Sequence, residues 1–274
     1  MSTLTRAAAF ITVVVAVAGG AGAYAVQQRQ DFQERRETPP SVAQTAANIL
    51  QDAPRIVFRH TGLDSSYGMV AMVSLAEPSG SRAFTNVSCD RVAAWNGGAS
   101  CLVTERGVVT RFEAHQLDAA WQESSSRPLP GIPSRTRASA DGTLVATTAF
   151  VSGHSYMSTG FSTATEVREV GGGRDWGNLE DFALVLGGHR VDPADRNVWG
   201  VTFVDDVTFY ATVDTGGKTY LVAGNLESRT LTSVTTTAEC PAVSPDRSRV
   251  AFKVDVDRGR AIVWQLAVLD LASG

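Results

Sequence analysis

Cysteine is scarce in this chain, with three residues in 274, and their positions exclude the common cysteine chemistries. Cys89, Cys101 and Cys240 match no zinc spacing and no C-x-x-C redox pair. None of them directly follows the N-terminal apolar segment, which leaves out a lipoprotein anchor. Basic excess is lacking as well. Twenty-four Lys and Arg stand against 28 Asp and Glu, a formal net charge of −4, so the positive footprint of a nucleic-acid binder is missing. Histidine is limited to four residues and charged residues to 19%. Beyond Arg55 no segment sustains a helical period.

One long apolar run is present. Residues 7 to 26, AAAFITVVVAVAGGAGAYAV, carry no charge, and about 20 such residues suffice for a helix to cross a bilayer core. Arg6 precedes the run, and Ala21-Gly22-Ala23 and Ala23-Tyr24-Ala25 both fit a signal-peptidase site. Residues 1–26 are therefore expected to be a signal peptide or a signal anchor, exporting the chain either to the outer face of the plasma membrane or into the medium. Arg29, Arg35 and Arg36 beyond the run weaken a positive-inside argument for the anchored form. Residues 27–54, polar and with Pro39-Pro40, read as a spacer, with a short helix possible over Ser41 to Leu50.

From residue 55 onward, short runs rich in Val, Thr, Phe and Ala alternate with Gly, Asp, Asn and Pro, the pattern of an all-β fold. The pattern repeats. Ser244-Pro-Asp-Arg, Ser139-Ala-Asp-Gly, Val204-Asp-Asp and Asn96-Gly-Gly each separate two strand-like runs. Asp and Asn cap such turns, and Gly accepts the positive φ they need. Anchored at Trp95, Ser139, Phe203 and Ser244, the repeats step by 44, 64 and 41 residues. A four-stranded propeller blade takes about 40–45 residues. The long step is a blade plus an insertion, expected within Gly171 to Asn197.

Ser244-Pro-Asp-Arg-Ser-Arg-Val-Ala-Phe followed by Val268-Leu-Asp-Leu resembles the blade consensus of TolB-type propellers. Val57-Phe-Arg-His-Thr-Gly, Cys89-Asp-Arg-Val, Gly153-His-Ser-Tyr and Trp199-Gly-Val-Thr-Phe resemble the TolB-like, WD40-like propeller proteins of high-GC Gram-positive bacteria. The resemblance implies an all-β propeller of four-stranded blades over 55–274, behind one N-terminal hydrophobic helix. Stretch 27–54 is too short for the additional N-terminal domain of TolB. About five blades are countable and the last is incomplete. The expectation is a roughly six-bladed ring truncated at its C-terminus; the alternatives are an irregular five-bladed ring or an edge completed by strand addition from another molecule.

Sites for chemistry are few. Gly153-His-Ser-Tyr-Met157 lacks the last glycine of a nucleophile elbow, and Asp214-Thr215-Gly216 is a single copy of a motif that works in pairs. Gly216-Gly-Lys-Thr219 lacks the first glycine of a phosphate loop, and Asp255-Val-Asp257 supplies too few oxygens for calcium. His154 and Tyr156, together with Trp176 in the insertion, are the candidate binding residues. Cys89 and Cys101 flank the Asn96-Gly-Gly turn and are a disulfide candidate in an oxidising compartment, two buried thiols being the alternative. The expectation is thus a non-catalytic, extracytoplasmic binding or scaffold propeller for a protein or cell-envelope ligand, with no metal, cofactor or nucleic acid. The alternative is a propeller-type hydrolase or the propeller portion of a larger peptidase.

Overall fold

The computed structural model describes residues 3–37, 42–50, 53–151, 162–256 and 263–272. Its contacts divide the chain into two units, Met1–Ala43 with His60–Tyr67, and Gln44–Arg59 with Gly68–Gly274. In the first unit a single helix, α1, runs over Thr3–Glu37. Its stretch Phe10–Glu34, mean hydropathy 1.7, is long and apolar enough to cross a membrane. Also in this unit, Asp64 lies 3.0 Å from His60 Nε2 and accepts the Ser66 amide.

The second unit is all β. Among its described residues the strands form five sheets, the blades of a propeller. Blade 1 contains β1 (Gln44–Thr45), β2 (Arg55–Arg59), β3 (Met69–Ser74) and β4 (Arg82–Ser88) in the order β1-β4-β3-β2. Blade 2 holds β5 (Arg91–Trp95), β6 (Gly98–Glu105), β7 (Arg111–Asp118) and β8 (Glu123–Pro128). Blade 3 holds β9 (Ile132–Ala138), β10 (Leu144–Val151), β11 (Ser162–Glu169) and β12 (Asp175–Asn178). Next come β13 (Ala183–Leu186) and β14 (His189–Val191), a hairpin added to the outer side of blade 4. That blade's own strands are β15 (Asn197–Phe203), β16 (Thr208–Thr215), β17 (Lys218–Asn225) and β18 (Thr230–Thr236). Blade 5 shows three strands, β19 (Ala238–Val243), β20 (Arg249–Asp255) and β21 (Trp264–Asp270).

In blades 2 to 5 the strand that precedes the repeated turn is innermost, and in blade 1 it is β2, while β1 and the β13–β14 pair are appended outside. Innermost strands of successive blades touch: β2 meets β5, β5 meets β9, β9 meets β15, and β15 meets β19. The expected insertion is thus the β13–β14 hairpin, whose first strand pairs in parallel with β18. Stretch 27–54 carries local structure of its own. Helix α1 continues to Glu37, and Gln44 and Thr45 pair in parallel with Arg82 and Ala83 of blade 1. A 3₁₀ turn over Ala47–Leu50 then buries Leu50 against Met72 and Ala83. Two or three apolar side chains suffice to dock so short a segment, since each stabilises by about 1.5–3 kcal/mol when buried.

The largest core joins blades 3 and 4 through Leu144, Val167, Leu184, Phe209, Val213 and Leu231. Alternation along the strands sends Leu144 and Ala146 of β10, Phe209, Ala211 and Val213 of β16, and Val222 of β17 into it. Blade 2 is pinned to blade 3 at Gly142 (φ +76), where any Cβ would meet the Trp95 ring at 2.2 Å. An ion pair, Arg127 Nη1 to Glu166 at 2.9 Å, crosses the same junction. Cys89 and Cys101 are bridged in the core between blades 1 and 2, beside Val70, Ala99 and Leu117. On β21, Trp264, Leu266 and Val268 alternate along one exposed face, with Lys253 Nζ 4.0 Å from the Trp264 ring centre.

Candidate binding site

The repeated turns are structural. Ser139 donates its hydroxyl proton to Asp141 at 2.6 Å and accepts the Leu144 amide at 2.9 Å. Ser244 does the same with Asp246 at 2.5 Å and the Arg249 amide at 3.0 Å. The serine hydroxyls draw both carboxyls down to about 2, ahead of the Thr143 and Ser248 amides. Asp205 caps its own turn through the amides of Val207 and Thr208. The protease-like tripeptide is a hairpin turn clamped by Asp195, which accepts the Thr215 hydroxyl at 2.6 Å and the Gly216 amide at 2.8 Å.

His154 and Tyr156 lie outside the described residues. Trp176 is seated in the core of blades 3 and 4 at 6% exposure, with Arg174 stacked 4.9 Å from its ring centre. Its carbonyl accepts Arg229 at 2.6 Å, while its own Nε1 is buried with no partner. A large ring on a short strand gains most by turning inward, so this tryptophan packs and offers no open platform. A histidine cluster that the sequence did not reveal sits on blade 2: the ligand atoms of Glu105, Glu113 and His115 lie within 4.8 Å of one another. Both His115 nitrogens are already engaged, by Glu113 at 3.2 Å and Glu123 at 2.8 Å.

The feature that stands apart is axial. The inner strands of blades 3, 4 and 5 each carry a bulge, so that extra residues stand against the regular ladder of the next strand. On β9 it is Ser134, skipped between the pairs Thr148–Arg135 and Ala149–Pro133. On β15 it is Gly200 and Val201, between Trp199–Thr212 and Thr202–Tyr210. On β19 it is Cys240 and Pro241, between Glu239–Lys253 and Ala242–Ala251. All these residues line one cavity of about 230 Å³. Bulges bend a strand and re-aim its side chains, and they concentrate beside functional sites.

Two hydroxyls hold the bulges open. Thr212 Oγ1 accepts the Cys240 amide at 3.0 Å and Thr202 Oγ1 accepts the Val243 amide at 3.2 Å. Cys240 is left at φ 52, a left-handed conformation unusual for a residue with a Cβ. It is the free cysteine of the chain.

Around this cavity stand Arg91, Arg135 and Arg137, with no aspartate or glutamate among the described residues of its lining. Arg91 is tied to backbone, its Nε donating to the carbonyl of the bulged Ser134 at 2.5 Å and its Nη1 to Asp90 O at 2.8 Å. Arg135 and Arg137 are exposed and make no ion pair or side-chain hydrogen bond among the described residues. Acidic groups border the neighbouring cavities. Asp214 and Glu239 share one of about 360 Å³ with Arg135, and Asp141, Asp205 and Asp206 share one of about 200 Å³ with Arg137. Burial pushes the Asp214 carboxyl up, and Asp195 and Glu239 add to that by repulsion.

No family model and no curated protein matches the chain. Solved propellers do. TolB from Acinetobacter baumannii is similar at 14% identity and TM-score 0.49, over 75% of this chain and 47% of its own. An oligogalacturonate lyase in complex with manganese is similar at 10% identity and TM-score 0.49, over 75% and 57%. A puromycin-hydrolyzing peptidase of Mycobacterium tuberculosis is similar at 13% identity and TM-score 0.47, over 86% and 37%. The likeness is one of fold alone. This chain spans less than two thirds of each of those proteins, and their activities stay with them. The expectation that the chain is not an enzyme is corrected by these neighbours: a lyase and a peptidase stand beside TolB, so this architecture gives no ground for setting catalysis aside.

Proposed function

We propose that this chain is an extracytoplasmic binding propeller whose ligand, a protein segment or a cell-envelope component, enters the axial cavity. The observation that supports this reading most is the convergence of three bulged inner strands, from three different blades, on one cavity. A left-handed backbone at Cys240, with its amide held by Thr212 and that of Val243 by Thr202, is costly to keep in a mere packing seam. The apolar stretch of α1 supports export, as an anchor or as a cleaved signal.

Two measurements test this. External protease added to intact cells digests the propeller if it is exported, and full protection would end the extracytoplasmic reading. For the cavity, the full chain in detergent micelles is titrated with fractionated cell-envelope extract while amide resonances are followed. A fraction that moves the Gly200, Val201 and Cys240 resonances together supports axial binding. If no fraction moves them, the cavity reading is wrong.

A further inference from the structure

We infer that the axial cavity is an oxyanion site, selecting a small ligand with two carboxylate or phosphate groups; this rests on the cavity being the binding site. The lining supplies three guanidinium groups and no carboxylate. One of the three, Arg91, is fixed by two backbone carbonyls, which leaves part of its donor fork free at no further entropic cost. The other two carry no partner of their own among the described residues. Arg135 and Arg137 sit two residues apart on β9, hence on one face and roughly 7 Å apart along the strand. That spacing matches a ligand with two separate anionic groups better than a lone ion.

The surrounding carboxylates do not satisfy these arginines. Asp141 and Asp205 are spent on their own turns, and Asp206 accepts the Thr143 hydroxyl at 3.1 Å. Glu239 lies 3.8 Å from Lys253 Nζ. Among the described residues the Asp214 side chain makes no hydrogen bond or ion pair, yet it lines the adjoining cavity with Arg135 and not the axial one. In a chain of net charge −4, three arginines held together without acidic partners in the lining form a local inversion of sign. Planar, bidentate recognition of carboxylate or phosphate is what guanidinium groups do best. At about 230 Å³ the cavity suits a compact ligand.

The test titrates the full chain in micelles separately with citrate and with pyrophosphate, by calorimetry and by the amide resonances of Gly200, Val201 and Cys240. The expected result is one-to-one binding of one of them, weakening as salt is added and at least tenfold weaker in the R135Q/R137Q double variant. An unchanged melting temperature of the unliganded double variant shows that it is folded. Whichever probe binds tells carboxylate from phosphate. Binding by neither probe, or equal binding by the double variant (an adventitious ion only), overturns the inference. Should envelope fractions move the axial resonances while both anions leave them still, the anion inference falls and the cavity reading survives.

Discussion

Gly200 and Cys240 face each other across adjoining inner strands, so close that a Cβ on Gly200 would lie 3.3 Å from the Cys240 Cα. Both have left-handed backbones, φ +69 and 52. Each bulge therefore makes room for the other. Gly200→Ala adds a side chain at a strained φ and into that contact, and is expected to cost about 1–3 kcal/mol. Urea denaturation measures it, and axial ligand binding should weaken in parallel. A variant as stable as the wild type would mean that the two bulges are independent.

The Cys89–Cys101 bridge closes a separation of 12 residues, with both sulfurs in the core between blades 1 and 2. The C89S/C101S double variant is expected to lose about 2–3 kcal/mol, mainly through a less constrained unfolded chain. Chain retained in a reducing compartment should show the same loss. Equal urea midpoints for oxidised and reduced protein would remove the bridge from the stability account.

Acid should weaken the repeated turns only at the low end of the pH range. Asp141 and Asp246 ionise at about 2 when folded, under the pull of Ser139 and Ser244, against about 3.9 for an unfolded aspartate. A lowered folded pKa gives stability that is present above about pH 4 and lost as pH falls through about 2. Ser139→Ala should move the Asp141 midpoint back toward its unfolded value, as read from the side-chain carboxyl carbon by NMR. An unmoved midpoint would show that the hydroxyl is not the cause.

Asp214 works in the opposite sense. Its carboxyl is pushed up by burial and by Asp195 and Glu239, so the folded chain holds the proton more readily than the unfolded one. Its ionised form is a liability at neutral pH, and the penalty disappears below about pH 4, where both states are protonated. Asp214→Asn should thus raise the melting temperature at pH 7 and not at pH 3. It should also strengthen anion binding roughly two- to threefold, through a shorter list of repelling charges. A lower melting temperature at pH 7 would contradict this.

The turn and blade count was legible because a Ser–Asp clamp is local: all its partners lie within five residues, as in Ser139 to Leu144. The outer hairpin was legible only as surplus length between Ser139 and Phe203, since nothing in the sequence says which blade it joins. Gln44 and Thr45 escaped notice because two residues in a parallel pair leave no alternating pattern. The bulges at Ser134, Gly200 and Cys240 were hidden for a different reason. An extra residue in one strand is defined by its neighbour's register, and register is a relation between segments. Trp176 is buried because it stands on β12, blade 3's own fourth strand, and not on the inserted β13–β14 hairpin.

Blades 1 and 4 end in stubs. The outermost strand of the first is two residues long, and that of the fourth is β14, His189–Val191, with His189 and Arg190 exposed. Unpaired strand edges are templates on which a second chain can crystallise into fibrils. At these two rims an incoming strand would find two or three residues to grip, one rim bearing a cation and an imidazole, before the ladder ran out. The appended pieces thus act as fenders against pairing with other copies of the chain.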